Sequence, residues 1–408
     1  MPSAQQPWKS ENWWVSPLNF EEEVRRYHSL PEKVQFHDVT LRDGEQTPGV
    51  VFRKEEKVAI AKMLDEVGIH RIEAGMPVVS KEDADAVKAI AREGLKAKVM
   101  GFSRLVREDL DAVLQCDGSG VICEGPVGEP KLKQFDWTEA DVLSKAIDTI
   151  DYAKSHGLYT VFFGVDTTRA NPKFLLDFIE RISSHTKVDA IALVDTFGCS
   201  TPDAIKLLVQ QVAGVTKLPL EIHCHNDFGL GTACTVAAVS AGAQVVHTSV
   251  NGIGERTGNV SFEEVAISLQ LLYGLKLDLN FDKFFQLSKL VEKLSGFSVP
   301  ANKPVIGERA FTREAGIAVA GWMKYYLGSE AFLPEFVGNK HGVLLGKKSG
   351  RHSVEWKLNE LGISATNDQI QEILRQVKEL SETKKSAVTD EELSRILTSL
   401  GLHETSSS

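Results

Sequence analysis

The feature that most constrains this chain is an alternation. Short runs rich in Val and Ile, at 34–39, 69–75, 97–102, 120–124, 159–165, 188–195, 220–225 and 244–250, are separated by longer amphipathic segments. Short apolar runs bounded by polar turns read as buried strands, and the segments between them carry the 3.6-residue period of helices. Helices are expected over Lys54–Val67, Lys81–Glu93, Glu139–His156, Pro172–Ser183, Pro202–Val212 and Gly231–Ala241. Several open on start signals: Ser80, Thr138, and Thr201 followed by Pro202 at the first helical position. Eight strand–helix units within roughly 240 residues match the count and size of a closed barrel, whereas open doubly wound sheets more often hold five or six strands. The expected fold is therefore α/β, a (β/α)8 TIM barrel over 31–275.

Beyond residue 275 the alternation stops. Residues 280–345 mix short helices with Gly- and Pro-containing turns, and helices are expected at 354–361, 368–382 and 390–400, giving a smaller, mostly helical C-terminal region. The tail from 403, HETSSS, is expected to be disordered. Residues 1–30 read as an arm carrying Trp8, Trp13 and Trp14, then a short helix over 18–30 stopped near Pro31. Those tryptophans are expected to dock the arm onto the body or a partner subunit.

Composition narrows the function classes. Net charge is −10 with no long basic run, which argues against nucleic acid as a main partner. The five cysteines are odd in number and form no CxxC, so neither a disulfide framework nor a thiolate zinc cluster is expected, and a reducing cytoplasm fits. No apolar stretch approaches the roughly 18 residues of a membrane span, and the N-terminus lacks the apolar core of a signal peptide.

Polar residues gather just after the runs: Arg42 to Gln46, Glu73, Ser103-Arg104, Glu124, Asp166 with Arg169, Asp195-Thr196, His223 to Asp227, and Asn251 to Asn259. In a barrel all those strand ends face one mouth, where such enzymes place their chemistry. His223 and His225 are two apart on a strand, so both side chains point the same way, and paired imidazoles suit a divalent metal. Asp43 after the first strand is close enough in a closed barrel to join them. The Gly-rich NGIGERTGN (251–259) is neither GxGxxG nor a P-loop, so a nucleotide reading is weak; it could instead turn Asn259 back toward the metal. Asp, two His and an amide would accept Mg²⁺, Mn²⁺ or Zn²⁺.

The segments LRDGEQTPG, HCHND, NGIGERTGN, FTREAGI and LGKKSGRH, in that order, resemble the DRE-TIM metallolyase family. The likeness covers 33–362 and is nearest to the 2-isopropylmalate, homocitrate and citramalate synthase branch. It implies a metal held by Asp43, His223 and His225, with Asn259 completing or neighbouring the shell. Arg42 would polarise the keto group of a 2-oxo acid, Thr196 would bond its carboxylate, and Gln46 and Arg104 would line the pocket. The partner substrate would be an acyl-CoA, usually acetyl-CoA. A homodimer is implied too, with 276–362 exchanged between subunits; the residues past 362 are too few for the long regulatory domain that gives feedback inhibition in many isopropylmalate synthases.

Three positions depart from that pattern. Ala318 stands where the branch has a histidine, Ser329 where it has a tyrosine, and Val165 where the fifth strand has a glutamate. Alanine and valine cannot transfer protons, so the usual base assignment cannot be copied. Glu73, Glu124, Asp166 and His247 are the candidate replacements, with Glu73 grouped with Arg42 as catalytic. Val161, Phe163 and Val165 also weaken a homocitrate-type substrate. Three readings stay open: condensation with another base, a related carbon–carbon cleavage like that of hydroxymethylglutaryl-CoA lyase, and a catalytically impaired metal-binding homologue acting as a partner.

Overall fold

The computed structural model describes residues 6–403. Residues 404–408, which hold nearly all of the tail expected to be disordered, lie outside the described residues. Eight parallel strands close into a barrel in sequence order: β1 (Gln35–Asp38), β2 (Arg71–Gly75), β3 (Lys98–Arg104), β4 (Gly120–Pro126), β5 (Tyr159–Val165), β6 (Ala190–Asp195), β7 (Leu220–Cys224) and β8 (Val245–Thr248). β8 returns to β1 with His37 beside His247, which completes the ring. Each strand lies within or close to a Val/Ile-rich run, because helices cover the outer face and side chains fill the inner one, leaving no solvated side to alternate with.

The expected helices form with their caps in place. Ser80 accepts from the Asp83 N–H, Thr138 from Asp141 and Thr201 from Ala204, satisfying donors that the first helical turn leaves free. Further helices at Arg107–Gln115, Glu129–Phe135, Phe262–Ile267 and Phe284–Ser295 begin without a capping side chain; the first three carry only the weaker signals of acidic first turns and, in the second, a proline at the start. The helix expected over 18–30 shrinks to a 3-10 turn at Pro17–Phe20 and one α-turn at Glu22–Arg25. Neither buries a residue, and an isolated turn without an apolar face to pack gains too little to propagate.

The chain forms two compact units, Pro17–Val299 around the barrel and residues up to Ser16 together with those from Pro300. In the second, helices Arg351–Glu360, Asn367–Lys384 and Asp390–Ser399 enclose a core that includes Trp322, Val354, Ile373, Val377 and Leu397. The N-terminal arm belongs to this unit: the Trp14 N–H donates to the Ala331 carbonyl at 2.8 Å, and the Trp13 ring lies 5.6 Å from that of Phe336. Among the described residues no helix is long and apolar enough to cross a membrane.

The barrel interior is divided. On β3 to β6 the inward positions are apolar apart from Glu124 near the end of β4, with Met100, Phe102, Ile122, Val161, Phe163, Val165, Ala190, Ala192 and Val194 packed as one cluster. On β7, β8, β1 and β2 the inward positions are Glu221, His223, His247, His37, Arg71 and Glu73, all buried. Interiors of such barrels are usually filled by bulky branched apolar side chains. Here half of the interior is polar.

Candidate active site

The polar half ends, at the C-terminal side of the strands, in three converging ligand atoms. Asp43 follows β1 at the start of a 3-10 turn, Gly44–Gln46. His223 lies on β7 and His225 just beyond it. The two imidazole Nε2 atoms are 3.3 Å apart, and Asp43 Oδ2 lies 3.3 Å from the first and 3.8 Å from the second. All three residues are buried, and their ligand atoms lie within 4.8 Å of one another.

The electrostatics favour the ligating protonation states. Burial lowers the His223 pKa, and burial together with the neighbouring His223 brings His225 down to about 4. Burial works against ionising Asp43, but Arg42 and the two imidazoles hold its carboxyl far below the usual range. An ionised carboxylate and neutral imidazoles are what a divalent cation requires.

Asn259 comes to the same place through backbone geometry. It bridges His225 in antiparallel fashion, and the loop returns there through Gly258, at φ +90°, where a Cβ would overlap the Gly252 carbonyl oxygen. The Asn259 Nδ2 donates to the Ile253 carbonyl at 3.1 Å, which leaves Oδ1 buried and without a partner. Asp43 Oδ1 is likewise buried and unpartnered. Buried polar atoms are costly to leave unsatisfied, so these orphaned oxygens fit a site built for a cation. Thr47 ties the two loops together: its hydroxyl accepts from the Gly254 N–H at 2.7 Å, so the segment after β1 and the loop after β8 are held as one wall.

Arg42 lies against this centre. Its Nη2 is 3.7 Å from Asp43 Oδ2, its guanidinium stacks 3.8 Å above the Phe102 ring, and its Nε donates to Glu73 Oε1. The other Glu73 oxygen accepts from His37 Nε2 at 2.9 Å. Both oxygens of Glu73 are therefore engaged, so Glu73 is arranged to fix Arg42. Beneath it the column continues. His37 stacks on His247 at 4.3 Å, His247 Nε2 donates to Glu221 Oε2 at 2.7 Å, and Glu221 Oε1 lies 2.7 Å from Arg71 Nη2. Burial lowers both imidazole pKa values, that of His247 to about 4, so two neutral rings are stacked between two carboxylates.

The remaining expected site residues divide. Thr196 is half-buried at the mouth, and its Oγ1 accepts from the Asp166 N–H at 2.8 Å, leaving the hydroxyl hydrogen free to donate. Gln46 is exposed on the rim of a cavity of about 290 Å³ that Arg42 also lines. Arg104 is turned away: 62% of its side chain is exposed and both Nε and Nη2 are bonded to Asp109, at 2.8 and 2.9 Å. Sequence reading missed the column of His37, Glu221 and Arg71 and the clasp at Thr47. A partial signal existed for Glu221, which lies two positions before His223 and so shares its face.

These features define a (β/α)8 protein with a carboxylate–imidazole centre and an adjoining arginine at the C-terminal ends of its strands. The chain belongs to the HMGL-like family, whose pattern it matches over residues 33–291; residues 305–385 match the homocitrate synthase post-HMGL domain-like family. It is 43% identical to homocitrate synthase AksA of Methanopyrus kandleri, over 92% of this chain and 94% of that protein. It is 40% identical to (R)-citramalate synthase CimA of Methanocaldococcus jannaschii, over 86% of this chain and 72% of that protein. With 2-isopropylmalate synthase of the same organism the identity is 38%, over 90% and 72%. The solved HMG-CoA lyase of Bacillus subtilis superposes with a TM-score of 0.61 at 19% identity, over 66% of this chain and 96% of that one, a likeness of fold.

Proposed function

We propose that this protein condenses an acyl-CoA, acetyl-CoA in the synthase branch it resembles, with a 2-oxo acid, and that water then cleaves the thioester, releasing CoA and a 2-hydroxy dicarboxylate or tricarboxylate. The observation that carries the reading is the Asp43–His223–His225 cluster with Arg42 beside it. Asp43, His223 and His225 would hold a divalent cation, with Asn259 Oδ1 at its edge. Such a cation supplies Lewis acidity and a chelation point for adjacent keto and carboxylate oxygens. Arg42, fixed by Glu73 and flattened on Phe102, would stabilise the negative charge that develops on the keto oxygen when the carbon nucleophile attacks. Thr196 would donate its free hydroxyl hydrogen to the acid's carboxylate, and Gln46 would sit at the rim of the site.

The acid's side chain is proposed to be apolar. Phe102, Phe163, Val165 and Val194 form the opposite wall, and Arg104, which could have met a second carboxylate, is committed to Asp109. Burying an unpaired carboxylate against that wall would be strongly unfavourable. A homodimer in a cytoplasmic setting belongs to the same proposal; Ile317, 93% exposed, and the exposed Met323 and Tyr325 support a partner surface on the C-terminal unit.

The test is CoA thiol release from acetyl-CoA with Mg²⁺, Mn²⁺ or Zn²⁺ and, in turn, pyruvate, 2-oxoisovalerate, oxaloacetate and 2-oxoglutarate. Turnover is expected with the first two and little with 2-oxoglutarate. Absence of release with every acid and metal would sink the condensation reading.

A further inference from the structure

With Ala318 and Val165 unable to move a proton and Ser329 lacking the phenol of the usual tyrosine, the condensation proposed above needs another base at the mouth. Most mouth carboxylates are already committed. Asp43 belongs to the ligand cluster, Glu73 is bonded by Arg42 and His37, and Asp166 is held by both Nε and Nη2 of Arg169. Asp195 accepts from the Thr168 hydroxyl and from the N–H groups of Cys199 and Ser200, and Asp227 is clamped by Arg256. His247, the remaining candidate, lies deeper in the column and is bonded to Glu221.

Glu124 differs. It stands near the C-terminal end of β4, registered with Arg104 on β3 and Phe163 on β5. It shares the inward face with Ile122, two residues earlier, which packs in the interior cluster. It is half-buried, and no hydrogen bond or ion pair engages its carboxylate among the described residues. We propose that Glu124 is the catalytic base that takes a proton from the acyl group of the thioester. This assignment rests on the condensation reading. In the step, a C–H bond α to the thioester carbonyl breaks and its electron pair passes into the enolate. The proton forms an O–H bond on Glu124, and the enolate carbon then attacks the keto carbon of the 2-oxo acid. Glu124 afterwards loses the proton to the solvent on its open side, the alkoxide formed on the keto oxygen takes one up, and water cleaves the thioester C–S bond to give the carboxylate and the CoA thiol.

The surroundings suit the task. Burial raises the Glu124 pKa; Arg42 opposes that, and the negative charges of Asp43 and Glu73 add to it. A more basic carboxylate is a better proton acceptor for a weak carbon acid.

The experiment compares E124Q and E124D with the wild-type full chain in the CoA-release assay, with Mn²⁺ affinity measured by calorimetry on the same preparations. E124Q is expected to lose about 10²- to 10⁴-fold in kcat, the usual worth of a positioned base. Its KM for the 2-oxo acid and its Mn²⁺ affinity should stay near wild type. E124D should retain more activity than E124Q and show a larger deuterium isotope effect with methyl-deuterated acetyl-CoA than wild type. E124Q turning over at close to the wild-type rate would overturn the assignment, as would loss of Mn²⁺ affinity in parallel with rate. Wild-type protein that releases no CoA would remove the condensation reading and the assignment together, whereas an active wild type with an equally active E124Q removes the assignment alone.

Discussion

Replacing Glu221 with glutamine tests the buried column at its most loaded point. Glu221 is fully buried, accepts from His247 at 2.7 Å, and is the counter-charge to Arg71 at 2.7 Å. Glutamine keeps the volume and an acceptor but leaves the Arg71 guanidinium buried without a compensating charge; none of its three side-chain nitrogens has a hydrogen-bond partner. Burial pushes the Glu221 pKa up, but Arg71, then His247 and His37, bring it down to about 2 from an ordinary 4.5. A carboxyl with that difference between folded and unfolded chains contributes about 3 kcal/mol at neutral pH. Removing one partner of a buried pair costs about 3–5 kcal/mol, so the two routes agree. The sign follows from the depressed pKa: the contribution is complete above the unfolded value of 4.5 and is lost as pH falls through about 2. The assay is urea unfolding of wild type and E221Q, read by hydrogen exchange in peptides spanning β7 and β8 so that the barrel unit is followed separately. E221Q should be less stable by about 3 kcal/mol at pH 7. The gap should stay constant to pH 5.5 and narrow below pH 4.5. A gap under about 1 kcal/mol at pH 7, the range of an exposed pair, or one that does not narrow in acid, would refute the column as a stabilising charge network.

Five further substitutions probe the site and the assembly. H223A and D43N should each weaken Mn²⁺ binding by more than about 100-fold, beyond the loss typical of an outer-shell partner, as read by calorimetry on protein stripped with chelator. R42K should lower kcat by about 10²- to 10³-fold with Mn²⁺ affinity unchanged, because an ammonium cannot keep the Glu73 bond and the Phe102 stack together. V165R, placing a cation on the apolar wall, should shift the kcat/KM ratio toward 2-oxoglutarate over 2-oxoisovalerate by at least about tenfold. For assembly, light scattering should give twice the chain mass for wild type and one chain mass for I317D; equal masses would discard the exposed Ile317 as a partner contact.

What the sequence reveals of all this follows the reach of local chemistry. The caps at Ser80, Thr138 and Thr201 and the paired imidazoles two positions apart act within one element, and the structure has them where local reasoning puts them. Arg104 shows the limit. An Asp five residues ahead is invisible as a partner until the turn into the next helix brings it within 2.8 Å, and then it takes the guanidinium that pocket lining would have needed. Glu73 shows another. As a lone carboxylate at a strand end it reads as a base, but the registers that set β2 beside β1, and β1 beside β8, surround it with Arg42 and His37. Lateral neighbours in a barrel depend on strand stagger around the whole ring, and no window of sequence contains that information. The stack of His37 on His247 is hidden for the same reason.

The split interior gives the two sides of this barrel unequal freedom to diverge. On β7, β8, β1 and β2 each polar side chain answers to the next, from Arg71 through Glu221, His247, His37 and Glu73 to Arg42. A change at one strands its neighbour, so tolerated drift there requires concerted replacement. On β3 to β6 Phe102 carries the Arg42 guanidinium and Phe163 packs on His223 and His247, but Val161, Val165, Ala192 and Val194 make only apolar contacts and can be exchanged chiefly at the cost of volume. After duplication, copies of such a chain could part ways in the acid they select by altering Val161 or Val165 one step at a time, while the strands that carry the charge are inherited as a block.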